Sequence, residues 1–235
     1  MCKALTADSI LPYVLLGMTA VTGLVDAVSF LSLGHLFTAS MTGNIVLLAS
    51  ASTGASQVSV AGSITALLSF LVGATVGGRI MAGANAALQL RAASSVFAME
   101  IVFLVGATLA AHGYSLVSSS QFLRLNAMIA FTAIAMGMRN AAVRKLAIPD
   151  LTTTVLTLTI TGLAADSSLA RGTNPRLQRR IAAVVAMFGG AVLGSITLRH
   201  SIFMALAFSV VLLSLCSLAL LISSRLPCTR SVEKG

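Results

Sequence analysis

A polytopic bundle of membrane-spanning α-helices is the fold class this sequence predicts, and three observations predict it. The 235 residues are 57% hydrophobic and only 9% charged, with a mean hydropathy of +0.99, which leaves too little polar surface to cover a soluble globule. The apolar residues fall in runs close to the ~20 residues a helix needs to cross a ~30 Å hydrocarbon layer, separated by short charged connections. Two further runs are too short to cross, and they resemble each other. Within one transmembrane domain, residues 1–235, these features predict six full spans and two short re-entrant or broken helices. They form two inverted three-helix repeats, 11–112 and 116–224, followed by a flexible tail at 225–235. Eight spans is the alternative.

Taken in order, residues 1–9 read as a short polar leader and 11–33 as the first helix. That run is too long for the apolar core of a cleaved signal peptide, so it reads as a retained span. Gly34-His35 ends it. The next run, 36–50, has 15 residues, or roughly 22 Å of helix, too short to span. It contains Thr42-Gly43-Asn44, a turn signal inside apolar sequence. Residues 58–78 make a full helix with Gly73 and Gly77 at GxxxG spacing and Arg79 just beyond. Residues 92–111, carrying Glu100, make the next, stopped by His112-Gly113. A fifth helix covers 122–137, bounded by Arg124 and Arg139, before a basic connection closed by Pro149-Asp150. The second short run is 151–165, rich in threonine. A polar, basic stretch with an Asn174-Pro175 turn leads to helices at 181–198, with Gly190 and Gly194 again at GxxxG spacing, and 201–224.

Setting 36–49 against 151–164 aligns Leu36 with Leu151, Thr38 with Thr153, Thr42 with Thr157, Ile45 with Ile160, Leu48 with Leu163 and Ala49 with Ala164. These are six identities in 14 positions, where so biased a composition would give about one or two by chance. The register extends upstream, pairing Gly23 with Gly137 and Asp26 with Asn140, and downstream, pairing Gly73 and Gly77 with Gly190 and Gly194. Basic residues choose between the span counts, because Lys and Arg accumulate in cytoplasmic loops. Eight spans with the N-terminus inside divide them nine to six, whereas six spans with two re-entrant segments divide them thirteen to two, with only Arg124 and Arg199 outside. The second count favours six spans with both termini cytoplasmic. Three spans per half invert one half relative to the other. The two short segments then bring Thr42, Gly43, Asn44 and Thr157 together near the midplane, where irregular backbone is tolerated only if it lines a cavity or is buried in protein.

The polar residues inside the apolar runs are the candidate site: Asp26, Thr42, Gly43, Asn44, Asn140 and Thr157. An ionisable group as deep as Asp26 marks function by default, and the competing reading is a cap on the neighbouring short helix. Glu100 is placed for pairing with Arg79 or Arg91 near an interface. The hydroxyls of Thr38, Ser40, Thr152, Thr153, Thr154, Thr159 and Thr161 line a pathway or bond their own helices. Gly73, Gly77, Gly190 and Gly194 mark close packing, between the halves or between the protomers of a homo-oligomer. Arg144, Lys145, Arg179 and Arg180 read as topology determinants near anionic lipid. The net charge of +9 is spread over helix ends rather than gathered on one face, so nucleic acid is not an expected partner. Cys2, Cys216 and Cys228 form no CxxC, and His35, His112 and His200 are isolated, so neither metal nor cofactor is expected. With no HExxH or GxSxG, neither is enzymatic activity.

The stretch GLVDAVSFLSLGHLFTASMTGNIVLLA resembles the signature of the YoaK family, bacterial multi-pass membrane proteins of undefined activity, and GMRNAAVRKLAIPDLTTTVLT is similar to that family's second common stretch. The family often has Thr-Gly where this chain has Thr157-Leu158. The resemblance implies a bacterial inner-membrane location and brings no activity. On the residues themselves, the expectation is a transporter or channel for an unidentified small solute or ion. A non-transporting scaffold or regulatory partner is the alternative.

Overall fold

The computed structural model describes residues 2–54, 59–85, 88–114, 121–148 and 156–225, with side chains from residue 10 to residue 223 within those ranges. Among the described residues the secondary structure is helical throughout: α1 (Cys2–Ser32), α2 (Met41–Ser52), α3 (Val60–Ala82), α4 (Gln89–Ala111), α5 (Phe122–Leu146), α6 (Leu156–Ala165), α7 (Leu177–Leu198) and α8 (Ile202–Arg225). Five of these are long and apolar enough to cross a membrane: α1 from Ile10 onward, α3, α4, α7 and α8. α5 has the length, 25 residues, but carries Arg124, Arg139, Arg144 and Lys145. α2 and α6, at 12 and 10 residues, are too short to cross.

Expected boundaries shifted by four or five residues at the start of α2 (Met41, not 36), the end of α3 (Ala82, past Arg79) and the start of α7 (Leu177, not 181), and two were further out. Residues 2–9 are no separate leader but the first turns of α1, which continues through Pro12. α5 does not stop at Gly137; it runs nine residues further and closes on Ala147 in the left-handed conformation, φ 51°. Arg139 therefore lies inside a helix rather than in a loop, and the remaining basic residues still divide twelve to two under the six-span count.

α1 is the innermost helix, with 67% of its apolar window buried against 17% for α7. The outer helices turn large apolar side chains outward, among them Phe188 and Leu109, a surface suited to acyl chains and not to water. α3 packs along α5 and α1 along α7, while α4 lies on α5 and α1 on α8. Glycines set these crossings. A methyl added at Gly73 would overlap the Ile134 carbonyl, and one at Gly190 would overlap that of Ala20; Gly77 lies on Met138 and Gly194 on Leu24. From the opposite helices, Gly23 abuts Met187 and Gly137 abuts Phe70. Backbone is thus packed against backbone, as small residues in membrane helices permit. The four GxxxG glycines are all buried against helices of the same chain.

Candidate functional site

The chain between α1 and α2 is irregular backbone inside an apolar protein, so its N–H and C=O groups need internal partners. Gly34 (φ 104°) and His35 (φ 56°) turn the chain back at the end of α1. Asp26, on α1, then holds the returning strand: Oδ1 accepts from the N–H of Thr38 (3.1 Å) and of Ala39 (2.9 Å), and Oδ2 from the Ser40 hydroxyl (2.6 Å). Asn44 works from the other side. Its Oδ1 accepts the Phe37 N–H at 2.8 Å and its amide donates to the Phe37 carbonyl. The Thr38 hydroxyl pairs with that of Ser29 at 2.9 Å. Gly43 leaves room for the Phe37 ring, which would lie 2.7 Å from an added Cβ. After α2 the chain returns to where it left: the Ser59 N–H meets the Gly34 carbonyl at 3.5 Å, and Ser59 caps α3.

Two cavities meet at this returning strand. The larger, about 970 Å³, is lined by Ala39, Ser40, Met41 and Thr42, by Phe70, Ala74 and Gly78 of α3, by Asn140, Ala141, Val143, Arg144 and Lys145 of α5, and by Ala147, Ile148 and Thr157. The smaller, about 380 Å³, is lined by Gly23, Asp26, Ala27, Phe30 and Leu31 of α1, Phe37, Ser40, and Met187 and Ala191 of α7. Ser40 belongs to both. Of the six predicted site residues, Thr42, Asn140 and Thr157 share the larger cavity and Asp26 walls the smaller. Gly43 and Asn44 line neither and hold the approach to α2. Thr152, Thr153 and Thr154 lie outside the described residues.

The sequence reading missed the most deeply buried charges. Glu100 does not reach Arg79 or Arg91: it sits at the midpoint of α4, fully buried, ion-paired with an equally buried Arg139. Arg139 also donates from Nη1 to the Met18 carbonyl (2.7 Å) and the Thr22 hydroxyl (2.9 Å) of α1. One guanidinium thus ties α5 to α1 and α4. The available signal was the apolar sequence on both sides of Arg139, AMGM before it and AAV after a single Asn140. Arg180 likewise departs from a lipid-facing role. It is buried, pairs with Asp166 at 2.8 Å and donates to the Gly162 carbonyl at 2.6 Å, fixing the end of α6. No group of three or more metal-ligating side chains occurs among the described residues.

Residues 14–219 match the family described as "Protein of unknown function (DUF1275)". Over 155 residues the chain is 37% identical to the UPF0700 transmembrane protein YoaK of Bacillus subtilis (strain 168), a match that covers 66% of this chain and 65% of that protein. No solved structure matches.

Proposed function

Because the chain belongs to the DUF1275 family of membrane proteins, a membership that assigns no activity, we propose from its geometry that it is a transporter or channel for a small solute in the bacterial inner membrane. It would have six spans, α1, α3, α4, α5, α7 and α8, with cytoplasmic termini. The observation that carries this reading is the meeting of two cavities at Ser40, where the chain is neither helix nor loop surface.

The cavities are built alike. Exchanging α1–α4 for α5–α8 turns the α3 packing on α5 into the packing of α7 on α1, and that of α4 on α5 into that of α8 on α1. It also turns Gly137 on Phe70 into Gly23 on Met187. In the cavity walls, Phe70, Ala74, Asn140 and Ala141 correspond to Met187, Ala191, Asp26 and Ala27. These correspondences support two inverted halves, each with three spans and one short segment that dips in and returns. Inverted halves open such cavities to opposite faces and place binding at their meeting point. Thr42, Asn140 and Thr157 would supply hydrogen bonds to the solute there. The scaffold alternative draws on one observation: both Asp26 oxygens and the Asn44 amide are engaged by the chain itself.

Single cysteines separate the readings, placed in a background with Cys2, Cys216 and Cys228 replaced. With a membrane-impermeant thiol reagent, Ser52→Cys is expected to label only from outside and Thr173→Cys only from the cytoplasmic side, while Ser40→Cys labels from both. A Ser40→Cys protein protected from both sides, with the two loop sites labelled as expected, would mean a closed scaffold.

A further inference from the structure

Resting on that reading, we propose that the larger cavity takes an anion, specifically a carboxylate- or phosphate-bearing molecule larger than a monatomic ion. Arg144 and Lys145, successive residues near the end of α5, both line it, and among the described residues no Asp or Glu does. Neither cation makes an ion pair or hydrogen bond among the described residues. Asp150, the nearest acid along the chain, lies outside those residues.

The comparison between the two cavities sharpens this. Where the larger cavity carries Arg144 and Lys145, the register of the halves places Phe30 and Leu31 in the smaller one. Asp26 likewise gives way to the neutral Asn140. The same scaffold therefore presents two apolar side chains where the other cavity presents two cations, and the one carboxylate, Asp26, lines the smaller cavity and not the cationic one. The other polar groups on the larger wall are neutral, the Thr42 and Thr157 hydroxyls and the Asn140 amide. The first turn of α2 begins on the same wall, and its cap residue Ser40 makes no side-chain cap bond there while its hydroxyl donates to Asp26. A guanidinium beside an ammonium, with neutral donors behind them, suits a planar carboxylate or a phosphate. About 970 Å³ leaves room for an organic body behind that group.

The test uses the full chain in lipid nanodiscs with Thr42→Cys as its single thiol. Its reaction with an anionic methanethiosulfonate bearing a sulfonate is compared with that of a cationic one bearing a quaternary ammonium, each rate divided by the rate with a free thiol in solution. The sulfonate is expected to react about tenfold faster, as a basic cleft concentrates anions. Arg144→Gln with Lys145→Gln is expected to abolish the preference. Equal rates, or a cationic preference, would overturn the anion and leave the cavity reading standing. Failure of both reagents to reach Thr42→Cys would sink that reading itself. Protection then identifies the source. In phosphatidylcholine discs, protection by inorganic phosphate or citrate indicates a soluble anion. Protection by phosphatidylglycerol in the bilayer, without soluble anion, indicates a lipid headgroup. Either supports the site if the double variant loses it, and protection by none of the three overturns it.

Discussion

Asp26 shows how a buried charge can belong to the backbone. In a sequence it stands out because ionisable side chains inside an apolar helix are rare. In the structure its two oxygens satisfy two N–H groups and a hydroxyl of a strand that has no helical or sheet partners. An amide in the same place keeps an acceptor for Thr38 and Ala39, and the Ser40 hydroxyl can rotate to accept from the new NH2. Asp26→Asn is therefore expected to insert and fold, losing only the charge-assisted part of these bonds, about 1–2 kcal/mol. Asp26→Ala leaves the buried donors unpaired, at about 1–3 kcal/mol each, and is expected to free the segment before α2. Resistance of the 33–40 stretch to proteolysis in detergent reads the difference; equal protection in both variants would show that the carboxylate does not hold the strand.

At the scale of the helix, close backbone contact decides which glycines matter. Gly189 and Gly190 are neighbours on α7, yet a methyl at Gly189 meets nothing within 4 Å while one at Gly190 collides with the Ala20 carbonyl of α1. Gly190→Ala must push α7 off α1, and overpacking of this kind costs about 1–3 kcal/mol or more. Gly189→Ala is expected to be neutral or to gain up to about 1 kcal/mol from the better helix former. Melting midpoints of the two detergent-solubilised variants test this, and a Gly190→Ala protein as stable as its neighbour would refute the tight crossing. Hydroxyls inside the helices fall into the same local pattern: Thr19, Thr22, Ser29 and Thr132 each donate to the carbonyl four residues back.

For the molecule as a whole, the length of the apolar runs made the helices legible, and repeated spacing made the packing glycines legible. Gly73, Gly77, Gly190 and Gly194 recur because equivalent crossings need them. What escaped was whatever a distant element decides. The partner of Glu100 is 39 residues away on α5, and nothing in either local pattern names the other. Arg139 read as a loop cation because a lone charge ends an apolar run in hydropathy, whereas in three dimensions it is neutralised and the helix continues. Glu100, Arg139 and the α1 groups that Arg139 bonds link α1, α4 and α5 inside the bundle, where no hydrophobic force drives helices together in lipid. Removing one partner of a buried ion pair strands the other charge, at about 3–5 kcal/mol, whereas replacing both with apolar residues of similar size is often nearly neutral. Glu100→Leu and Arg139→Met are each expected to lower the stability by that amount, and the double variant to lie well above either, short of the wild type by the lost bonds from Arg139 to Met18 and Thr22. Reversible denaturation in detergent across the four proteins measures the coupling. Additive losses would mean that Arg139 acts through α1 alone and that Glu100 contributes nothing to holding the helices together.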